Sequence, residues 1–339
     1  MDLNTIWFFL IGILIIGYAI LDGFDLGIGS LFYILGKTDD EKKTLINSIG
    51  PVWDGNEVWL LTGGGALFAA FPYVYATVFS GFYLAMMLVL FGLIFRAVGI
   101  EYYFKMYDDK GMQNLMGKMF FIGSIVPALL FGVAIGNVII GIPLDSMQNY
   151  AGSFFGLLNP YSLLIGVVGL IGFLLQGAVY TTIKTDGELQ HRATNLAIKF
   201  SWALLAVWLL GTITTYIYAS HMFTNYNNIP VLYVIPLLTL VCLFTISVFL
   251  KKEAYGKAFI ASSLVIATEI LTFAVGLFPN IVISKNPLQN LTIYNAASTD
   301  LTLKVMLIIA LIGVPLVLAY TGYVYYVFRG KASSERAGY

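Results

Sequence analysis

The stretch GPVWDGNEVWLLTGGGALFAAFP, at residues 50–72, decides the topology of the chain. It opens on a Gly–Pro turn signal and closes at Pro72. Between these points, Asp54 and Glu57 precede a run of apolar residues and glycines. An ionisable side chain at the centre of a membrane helix costs about 2.5–3.5 kcal/mol on insertion scales. Whether this short, acid-bearing stretch crosses a membrane therefore sets the direction of every segment that follows it.

The composition is that of a polytopic membrane protein. Of the 339 residues, 59% are hydrophobic and only 11% are charged, whereas soluble domains carry about 25% charged residues. The formal net charge is zero, so the chain offers no basic surface for nucleic acid. The single cysteine, Cys242, lies in an apolar run and is expected to pack as a small hydrophobic residue.

Nine apolar segments are predicted to be transmembrane helices, and the whole chain is predicted to be one all-α integral-membrane domain. A helix needs about 20 apolar residues to cross a bilayer, so the second segment is short. The predicted spans are 5–35, 56–72, 77–104, 118–142, 160–183, 200–220, 230–250, 257–281 and 304–328.

Lysine and arginine settle whether the short second segment crosses. They form five groups of three in alternate connections: Lys37, Lys42 and Lys43; Lys105, Lys110 and Lys118; Lys184, Arg192 and Lys199; Lys251, Lys252 and Lys257; Arg329, Lys331 and Arg336. The positive-inside rule assigns these groups to the cytoplasm. Two cytoplasmic connections are joined by an even number of spans, so 56–72 and 77–104 must both cross. The N-terminus is therefore predicted outside and the C-terminus inside.

This topology gathers six ionisable groups in the cytoplasmic half of the first three spans. They are Asp22, Asp25, Asp54, Glu57, Arg96 and Glu101. The two acids of the first span are three residues apart, as are the two of the second, so each pair shares one helix face. Intramembrane ionisable groups usually face the interior of a bundle and mark ion or proton paths. A low dielectric favours the neutral form of a carboxyl group, which suits proton transfer.

Simpler roles stand beside this one. Asp54 or Asn56 can cap the second helix, since both residue types are strong N-caps. Glu101 can pair with Lys105 at the spacing of a surface ion pair. Glu269 is an isolated acid in the eighth span, and it fits either a site or a hydrogen bond between helices.

The other unusual residues of the opening stretch are expected to be structural. Trp53, Asn56 and Trp59 surround its acids, and the consecutive glycines Gly63, Gly64 and Gly65 follow. Small residues allow helices to approach closely in lipid. The glycines are therefore predicted to form a close-packing surface.

Histidine usage argues against a self-contained haem or copper subunit. Haem needs an axial ligand, usually His, Met or Cys. The chain has two histidines, His191 in a predicted cytoplasmic loop and His221 at the outer end of the sixth span. Neither is placed to face another histidine across a bundle, so no metal or cofactor is expected to be ligated by this chain.

Four motifs resemble subunit II of the cytochrome bd-type quinol oxidases. They are LDGFDLGIG at 21–29, NSIGPVWDGNEVWLLTGGGALFAAFP at 47–72, FSGFYLAMMLVL at 79–90 and FRAVGIEYY at 95–103. The match is dense over residues 15–105. The later part of the chain resembles the family in length, span count and topology.

The resemblance implies a fold of two four-helix bundles plus one peripheral helix in the bacterial cytoplasmic membrane. It also implies a larger partner, subunit I, which binds haems of b and d type, oxidises quinol from the membrane pool and reduces O2 to water with cytoplasmic protons. Subunit II itself ligates no haem in this family. The resemblance leaves open a structural quinone in subunit II and a small single-span accessory subunit.

The resemblance also implies roles for individual residues. Asp54 corresponds to the motif aspartate of an acidic proton route, and Asp25, Arg96 and Glu101 fall at polar positions of the family. Glu57 stands where the family also accepts Gln, so its acidity is expected to be dispensable. Two further interpretations of the residues remain, a secondary cation or solute transporter and a purely architectural subunit whose acids act as caps and interhelical contacts.

Overall fold

The computed structural model describes residues 2–106 and 108–335; Arg336, counted above among the basic groups, lies outside these ranges. The described helices are α1 (Leu3–Leu35), α2 (Asp39–Ile49), α3 (Trp53–Ala70), α4 (Pro72–Gly81), α5 (Tyr83–Tyr103), α6 (Lys110–Ile140), α7 (Pro160–Lys184), α8 (Gly187–Tyr218), α9 (Thr224–Asn228), α10 (Val234–Lys251), α11 (Tyr255–Leu277) and α12 (Asp300–Val327). Short 3₁₀ turns lie at Phe155–Leu157, Ser220–Phe223, Pro230–Tyr233 and Pro287–Gln289, and a two-stranded sheet joins β1 (Asn280–Val282) to β2 (Leu291–Thr292).

Eight helices in the described ranges are long and apolar enough to cross a membrane. They are α1, α5, α6, α7, α8, α10 with its preceding turn, α11 and α12. The bent pair α3 and α4 makes a ninth when it is counted as one span. The predicted all-α polytopic class, with about nine spans, is thereby confirmed. The positions of the two termini relative to the membrane and the arrangement into two bundles stay predictions.

The predicted boundary between the second and third spans is wrong. Span 56–72 corresponds to α3, but the predicted span 77–104 begins inside α4, which bends away from α3 by 120°. Pro72 starts α4 because its fixed backbone suits the first position of a helix. The second break, at Phe82, has no such signal, because the residues on both sides are apolar. α4 is held instead by a distant segment of the chain, since Thr77 donates a hydrogen bond to the carbonyl of Gln148 at 2.9 Å.

Three other boundaries differ for a common reason. The helices α6 and α8 begin well before the predicted spans 118–142 and 200–220, and α2 occupies most of the predicted loop 36–49. Hydropathy detects only the apolar part of a helix, whereas these first turns carry lysine, arginine and glutamate. At the other extreme, α11 ends at Leu277, before the predicted limit of 257–281, because the chain turns into β1.

The helices α1 and α7 form the centre of the packing. α1 packs against α3, α6, α7 and α11, while α7 also contacts α6 and α8. The backbones of α1 and α7 approach most closely at Gly27 and Gly177. A Cβ on Gly27 would meet the carbonyl oxygen of Phe173 and would lie 2.8 Å from the nitrogen of Gly177. By contrast, α12 lies at the periphery, with Leu303 as its buried residue.

We call the end of the helix bundle that carries α2 the α2 end. The α2 end and the opposite end are held together by different contacts. At the opposite end, the segments 141–159 and 278–299 lie together: the amide of Ile142 donates to Ile283, and that of Lys285 donates back to Ile142. The hydroxyl and amide of Ser298 bond to the last turn of α3.

At the α2 end, helix α2 is fixed through Glu41. Thr38 and Glu41 form a capping box, and Glu41 also accepts a hydrogen bond from the amide of Lys37 at 2.8 Å. Arg192 of α8 forms an ion pair with Glu41 and donates to the carbonyl of Leu35 at 3.0 Å. Burial alone would raise the pKa of Glu41, but the hydrogen bonds from Arg192, Lys37 and Thr38 outweigh it and lower that pKa.

We predict that Gly27→Ala destabilises the protein. The new methyl group would force α1 and α7 apart, and overpacking costs typically about 1–3 kcal/mol. Gly12→Ala in the same helix is the control, because a Cβ at Gly12 meets nothing within 4 Å. Thermal unfolding in detergent should show a lower midpoint for the Gly27 variant alone, and equal midpoints would contradict the close approach.

We also predict that the attachment of α2 depends on pH through Glu41. A carboxyl whose pKa is lowered by folding stabilises the fold above its unfolded pKa of about 4.3 and loses that contribution as pH falls through the folded pKa. Hydrogen exchange of the α2 amides, corrected for intrinsic rates, should be faster in Glu41→Gln than in the parent at about pH 6. The difference should vanish in acid, and a difference that persists there would contradict the role of the carboxylate. Asp40→Asn, at an exposed position, is the control.

Candidate functional site

Two aspartates of α1 are completely buried. Asp22 and Asp25 lie in the half of α1 that passes between α3, α6, α7 and α11, and both have 0% exposure. Their spacing of three residues puts them on one helix face, as the sequence predicted. Burying a carboxylate is expensive unless a cation or hydrogen-bond donor compensates for the lost hydration, so their partners define the site.

Arg96 of α5 is the partner of Asp22. Its guanidinium is also 0% exposed, and its Nη1 lies 2.7 Å from Oδ1 of Asp22. Its Nη2 forms a second ion pair with Oε1 of Glu57, which is a quarter exposed. One guanidinium therefore joins acids from α1 and α3. The expectation that the acidity of Glu57 is dispensable does not fit this geometry, because a neutral side chain would deprive a buried cation of a carboxylate.

Asn56 of α3 is the partner of Asp25. Its Nδ2 donates to Oδ2 of Asp25 at 2.7 Å and to the carbonyl of Leu21 at 3.3 Å. Its Oδ1 accepts a hydrogen bond of 2.9 Å from the hydroxyl of Tyr325, on α12. The buried acid cluster thus consists of Asp22, Asp25, Asn56, Glu57 and Arg96.

The predicted N-cap of the second span is wrong. Val52 occupies the cap position of α3, and no side chain caps this helix end. Asp54 lies exposed in the first turn, and the Asn56 amide points to α1 instead. A helix that starts directly after a turn at Pro51 has its first amides near the protein surface, which removes the need for a side-chain cap.

The acid cluster is suited to holding protons. Its three carboxyl groups have one guanidinium among them, which pairs with Asp22 and Glu57 only, so the fully ionised cluster would keep an excess of negative charge. Oδ1 of Asp25 is buried and has no hydrogen-bond partner among the described residues. When acids interact at such short range, the protons belong to the group rather than to one residue. The cluster can therefore take up and release protons without a large rearrangement.

Two of the six predicted ionisable groups lie outside the acid cluster. Asp54 is exposed at the start of α3. Glu101 is partly exposed, and its carboxylate lies 3.9 Å from the amine of Lys105, the surface pair that its spacing allows. Both are near the α2 end of their helices. The structure therefore separates a buried group of residues from two acids at the surface.

The remaining residues of the stretch 50–72 fall into two groups, the tryptophans, which pack against other helices, and the glycines, which do not. Trp53 is buried in the main core, and the ring of Trp59 lies against Gly17 of α1, where no side chain would fit. The predicted packing surface of Gly63, Gly64 and Gly65 is not formed within the described part of this chain. A Cβ on Gly63 would have one neighbour at 3.8 Å, and on the other two glycines it would have none within 4 Å.

Glu269 of α11 is a buried acid apart from the cluster. It has 7% exposure, and one of its oxygens points towards Gly172 of α7. Its Oε1 has no hydrogen-bond partner among the described residues.

Sequence reasoning missed Tyr325. This residue lies in the stretch YTGYVYYV at the end of α12, where neighbouring tyrosines look equivalent. Only its hydrogen bond to Asn56 distinguishes it from Tyr323 and Tyr326, which are exposed. A helical periodicity cannot make that distinction, because α12 has one buried residue and hence no clear inner face.

The histidines do not fit a haem site. Nε2 of His221 lies 3.0 Å from the carbonyl oxygen of Ile139, which occupies it, and His191 is exposed near the start of α8. Over the described ranges, no three side chains of His, Cys, Asp or Glu are arranged to hold a metal ion.

We predict that Arg96→Met strongly destabilises the fold. It leaves buried carboxylates without their cation, and breaking a buried pair in this way costs about 3–5 kcal/mol. Lys105→Met is the matched control, because it breaks an exposed pair worth at most about 1 kcal/mol. Thermal unfolding in detergent should separate the two variants clearly. Adding Asp22→Asn to Arg96→Met should recover part of the loss, and no recovery would argue against the ion pair.

Comparison with known proteins supports one family across the whole chain. The family model for cytochrome bd terminal oxidase subunit II matches residues 3–328. Cytochrome bd-I ubiquinol oxidase subunit 2 of Escherichia coli strain K12 is 41% identical over 364 aligned residues, covering 98% of this chain and 96% of the relative. Cytochrome bd ubiquinol oxidase subunit 2 of Bacillus subtilis strain 168 is 36% identical and covers 98% of each chain.

The fold has a counterpart among solved structures. A chain of the bd oxidase from Geobacillus thermodenitrificans superposes with a TM-score of 0.81 over 97% of this chain and 99% of that one, at 16% identity. The apolar helices and the family matches identify a multi-pass protein of the bacterial inner membrane. The resemblance found in the motifs is confirmed: the chain belongs to the cytochrome bd terminal oxidase subunit II family, and it is one subunit of a respiratory oxidoreductase that has a partner subunit I.

Proposed function

We propose that this subunit carries protons from the cytoplasm towards the O2-reducing centre of subunit I and ligates no haem itself. The observation that supports this most directly is the acid cluster, in which one guanidinium pairs with two of the three carboxyl groups and leaves Asp25 without a cation. Intramembrane acids grouped in this way usually mark a proton path. The reaction in the partner, reduction of O2 to water, consumes protons and gives such a path a purpose.

The direction of the path follows from the loop charges. We place the α2 end in the cytoplasm, because the lysine- and arginine-rich connections lie there, so the N-terminus is outside and the C-terminus inside. Glu57 and Asn56 belong to the first turns of α3, and Arg96 is two turns from the end of α5. The acid cluster is therefore nearer to the cytoplasm than to the outer face.

The rest of the assembly is proposed from the family. Haems of b and d type and the oxidation of quinol belong to subunit I, and this chain stabilises that subunit. The names of the relatives specify ubiquinol, and we assign quinol oxidation to the complex as a class. We group the spans into two four-helix bundles, with α12 as the peripheral helix. The small buried part of α12 supports its peripheral place.

One observation favours a second, architectural function. Every member of the acid cluster contacts another helix: Arg96 joins α5 to α1 and α3, and Asn56 joins α3 to α1 and α12. The acids are thus also interhelical contacts. The transporter interpretation is set aside, because the family of the chain is that of an oxidase subunit.

We predict that Asp25→Asn in the assembled oxidase slows quinol-driven O2 consumption about tenfold or more, since proton-transfer groups contribute about 10²–10⁴-fold to rates. The isosteric amide preserves the contact with Asn56 but cannot carry a proton. Asp54→Asn should have a smaller effect, because water can replace an exposed carboxylate. Asp108→Asn, an exposed acid at the α2 end, is the control.

The haem absorption spectrum of the purified complex separates the two functions. A slow Asp25 variant with a normal spectrum supports proton transfer, whereas loss of the haem-bearing partner supports the architectural function. Normal O2 consumption and normal proton uptake into proteoliposomes for both Asp22→Asn and Asp25→Asn would overturn the proposed proton route.

A further inference from the structure

A cavity of about 250 Å³ lies at the α2 end, beneath the C-terminal segment. We call it the tail cavity, and residues 328–333 the tail segment. Its walls come from the connection between α2 and α3 with Ser48 and Val52, from the end of α7 with Tyr180 and Lys184, and from the end of α12 with Tyr325. This volume has room for several water molecules, and hydroxyl, amine and carbonyl groups in the lining provide the polar partners that water needs.

The tail segment is held over the cavity by specific contacts. The Lys184 amine donates hydrogen bonds to the carbonyls of Phe328 and Gly330, and the carbonyl of Lys184 accepts one of 2.8 Å from the amide of Ala332. Lys331 donates to the carbonyl of Thr185 at 2.7 Å and lies 3.1 Å from the carboxylate of Asp186. These contacts are made to the end of α7. The tail cavity is therefore bounded by specific hydrogen bonds, and the tail segment forms one of its walls.

The inner wall of the tail cavity leads to the acid cluster. Tyr325 lines the cavity, its hydroxyl donates to Oδ1 of Asn56, and the Asn56 amide donates to Asp25. On the other side, the ring of Tyr180 stacks on Phe24 with centroids 3.9 Å apart, and its hydroxyl reaches the carbonyl of Ser48 at 3.4 Å. Tyr325 and the Asn56 amide thus connect the cavity wall to a fully buried carboxyl group by hydrogen bonds.

The exposure of its lining residues shows that the cavity extends from the protein surface towards the interior. Lys331 and Ser333 at its outer side are exposed, Tyr325 is half-buried, and Ser48 is buried. Asp54, the acid that the sequence favoured at the entrance, does not line this cavity. A hydrogen-bonded connection from the tail cavity to Asp25 therefore runs from Tyr325 of α12 through Asn56 of α3.

We propose that the tail cavity is the entrance through which protons reach the acid cluster, and that Tyr325 is the positioning residue that orients Asn56 towards Asp25. This inference rests on the proposed function. It adds the place of entry and a residue on a helix outside the three that carry the acids.

The amide of Asn56 explains why Tyr325 positions rather than relays. An amide is neither an acid nor a base in the physiological range, so it cannot pass a proton along the chain. Because the Tyr325 hydroxyl donates to Oδ1, the NH2 group of Asn56 must face Asp25. With Oδ2 of Asp25 occupied in this way, Oδ1 is the oxygen that takes the proton. A hydronium ion that enters from the cavity as far as Oδ1 transfers its proton to that oxygen and is left as a water molecule.

Without the Tyr325 hydroxyl, the Asn56 amide is free to turn over. Its oxygen would then face the Asp25 carboxyl and accept a hydrogen bond from its protonated form. Asp25 should pass its proton on more slowly, and the defect should be greatest at acid pH, where release of that proton rather than its uptake limits turnover. A hydroxyl that merely holds α12 in place would instead affect turnover equally at every pH.

The test uses Tyr325→Phe in the complete oxidase, with Tyr323→Phe as the matched control on an exposed tyrosine of the same helix. We expect O2 consumption in Tyr325→Phe to fall about three- to tenfold at acid pH, the range for loss of one hydrogen bond. It should approach the parent rate at alkaline pH, where proton uptake limits both proteins, with an unchanged haem spectrum. Tyr323→Phe should follow the parent throughout.

Asp25→Asn, measured alongside, distinguishes the two possible failures. A slow Asp25 variant with a normal Tyr325 variant would overturn this inference and leave the proposed function standing. Normal rates for both variants would overturn this inference, and the proposed function would fall with it if Asp22→Asn also kept normal O2 consumption and proton uptake. A Tyr325 defect independent of pH, or one accompanied by loss of haem, would assign Tyr325 a structural role and also overturn the inference.

A second measurement tests the entrance without altering Tyr325. Ser333 lines the tail cavity and is exposed, whereas the neighbouring Ser334 does not line it. The native Cys242 is buried in the core. Labelling Ser333→Cys with a bulky cationic thiol reagent should slow O2 consumption several-fold, and labelling Ser334→Cys should not. Complete labelling of Ser333→Cys with no change in rate would exclude the cavity as the entrance.

Discussion

The two ion pairs of Arg96 are the constraint on which the structure depends. A guanidinium with no exposed surface can exist in the interior only if carboxylates meet it. Asp22 and Glu57 do so from two different helices, which fixes α1, α3 and α5 at one relative depth. The same pairing leaves Asp25 without a cation and gives it an amide, from Asn56, instead. The acid cluster therefore has fewer cations than carboxyl groups, and both its stability and the proton transfer proposed for it depend on this imbalance.

The helices around the acid cluster also pack closely. α1 packs mainly against α3, α6, α7 and α11, and at Gly27 and Gly177 it approaches α7 with no side chain between the two backbones. Close backbones exclude lipid and leave few places for the acids to move. A buried acid group held in this way keeps its geometry while protons come and go, which a looser bundle could not ensure.

Much of this arrangement was accessible from the sequence. The alternation of lysine and arginine required residues 56–72 to cross, and the two pairs of acids at a spacing of three indicated a shared interior position. The grouping of Asp22, Asp25, Glu57 and Arg96 in space agrees with that expectation. What the sequence could not separate was burial: Asp54 and Glu101 have the same residue types and similar positions, yet they lie at the surface. Tertiary contacts also determined how α4 is held and the role of Tyr325, whereas the bend before α4 has a local signal in Pro72.

The order of the chain gives the tail segment a further consequence. The three helices that carry the acids come from the first 103 residues, but the wall of the tail cavity and Tyr325 come from the last described ones. During synthesis from the N-terminus, the buried acids assemble long before α12 leaves the ribosome. Throughout that interval the Asn56 amide lacks its partner from α12. On the proposed route, a nascent chain without α12 therefore has the residues of the acid cluster but not those of the entrance, so the entrance is the last part of the proton path to be synthesised.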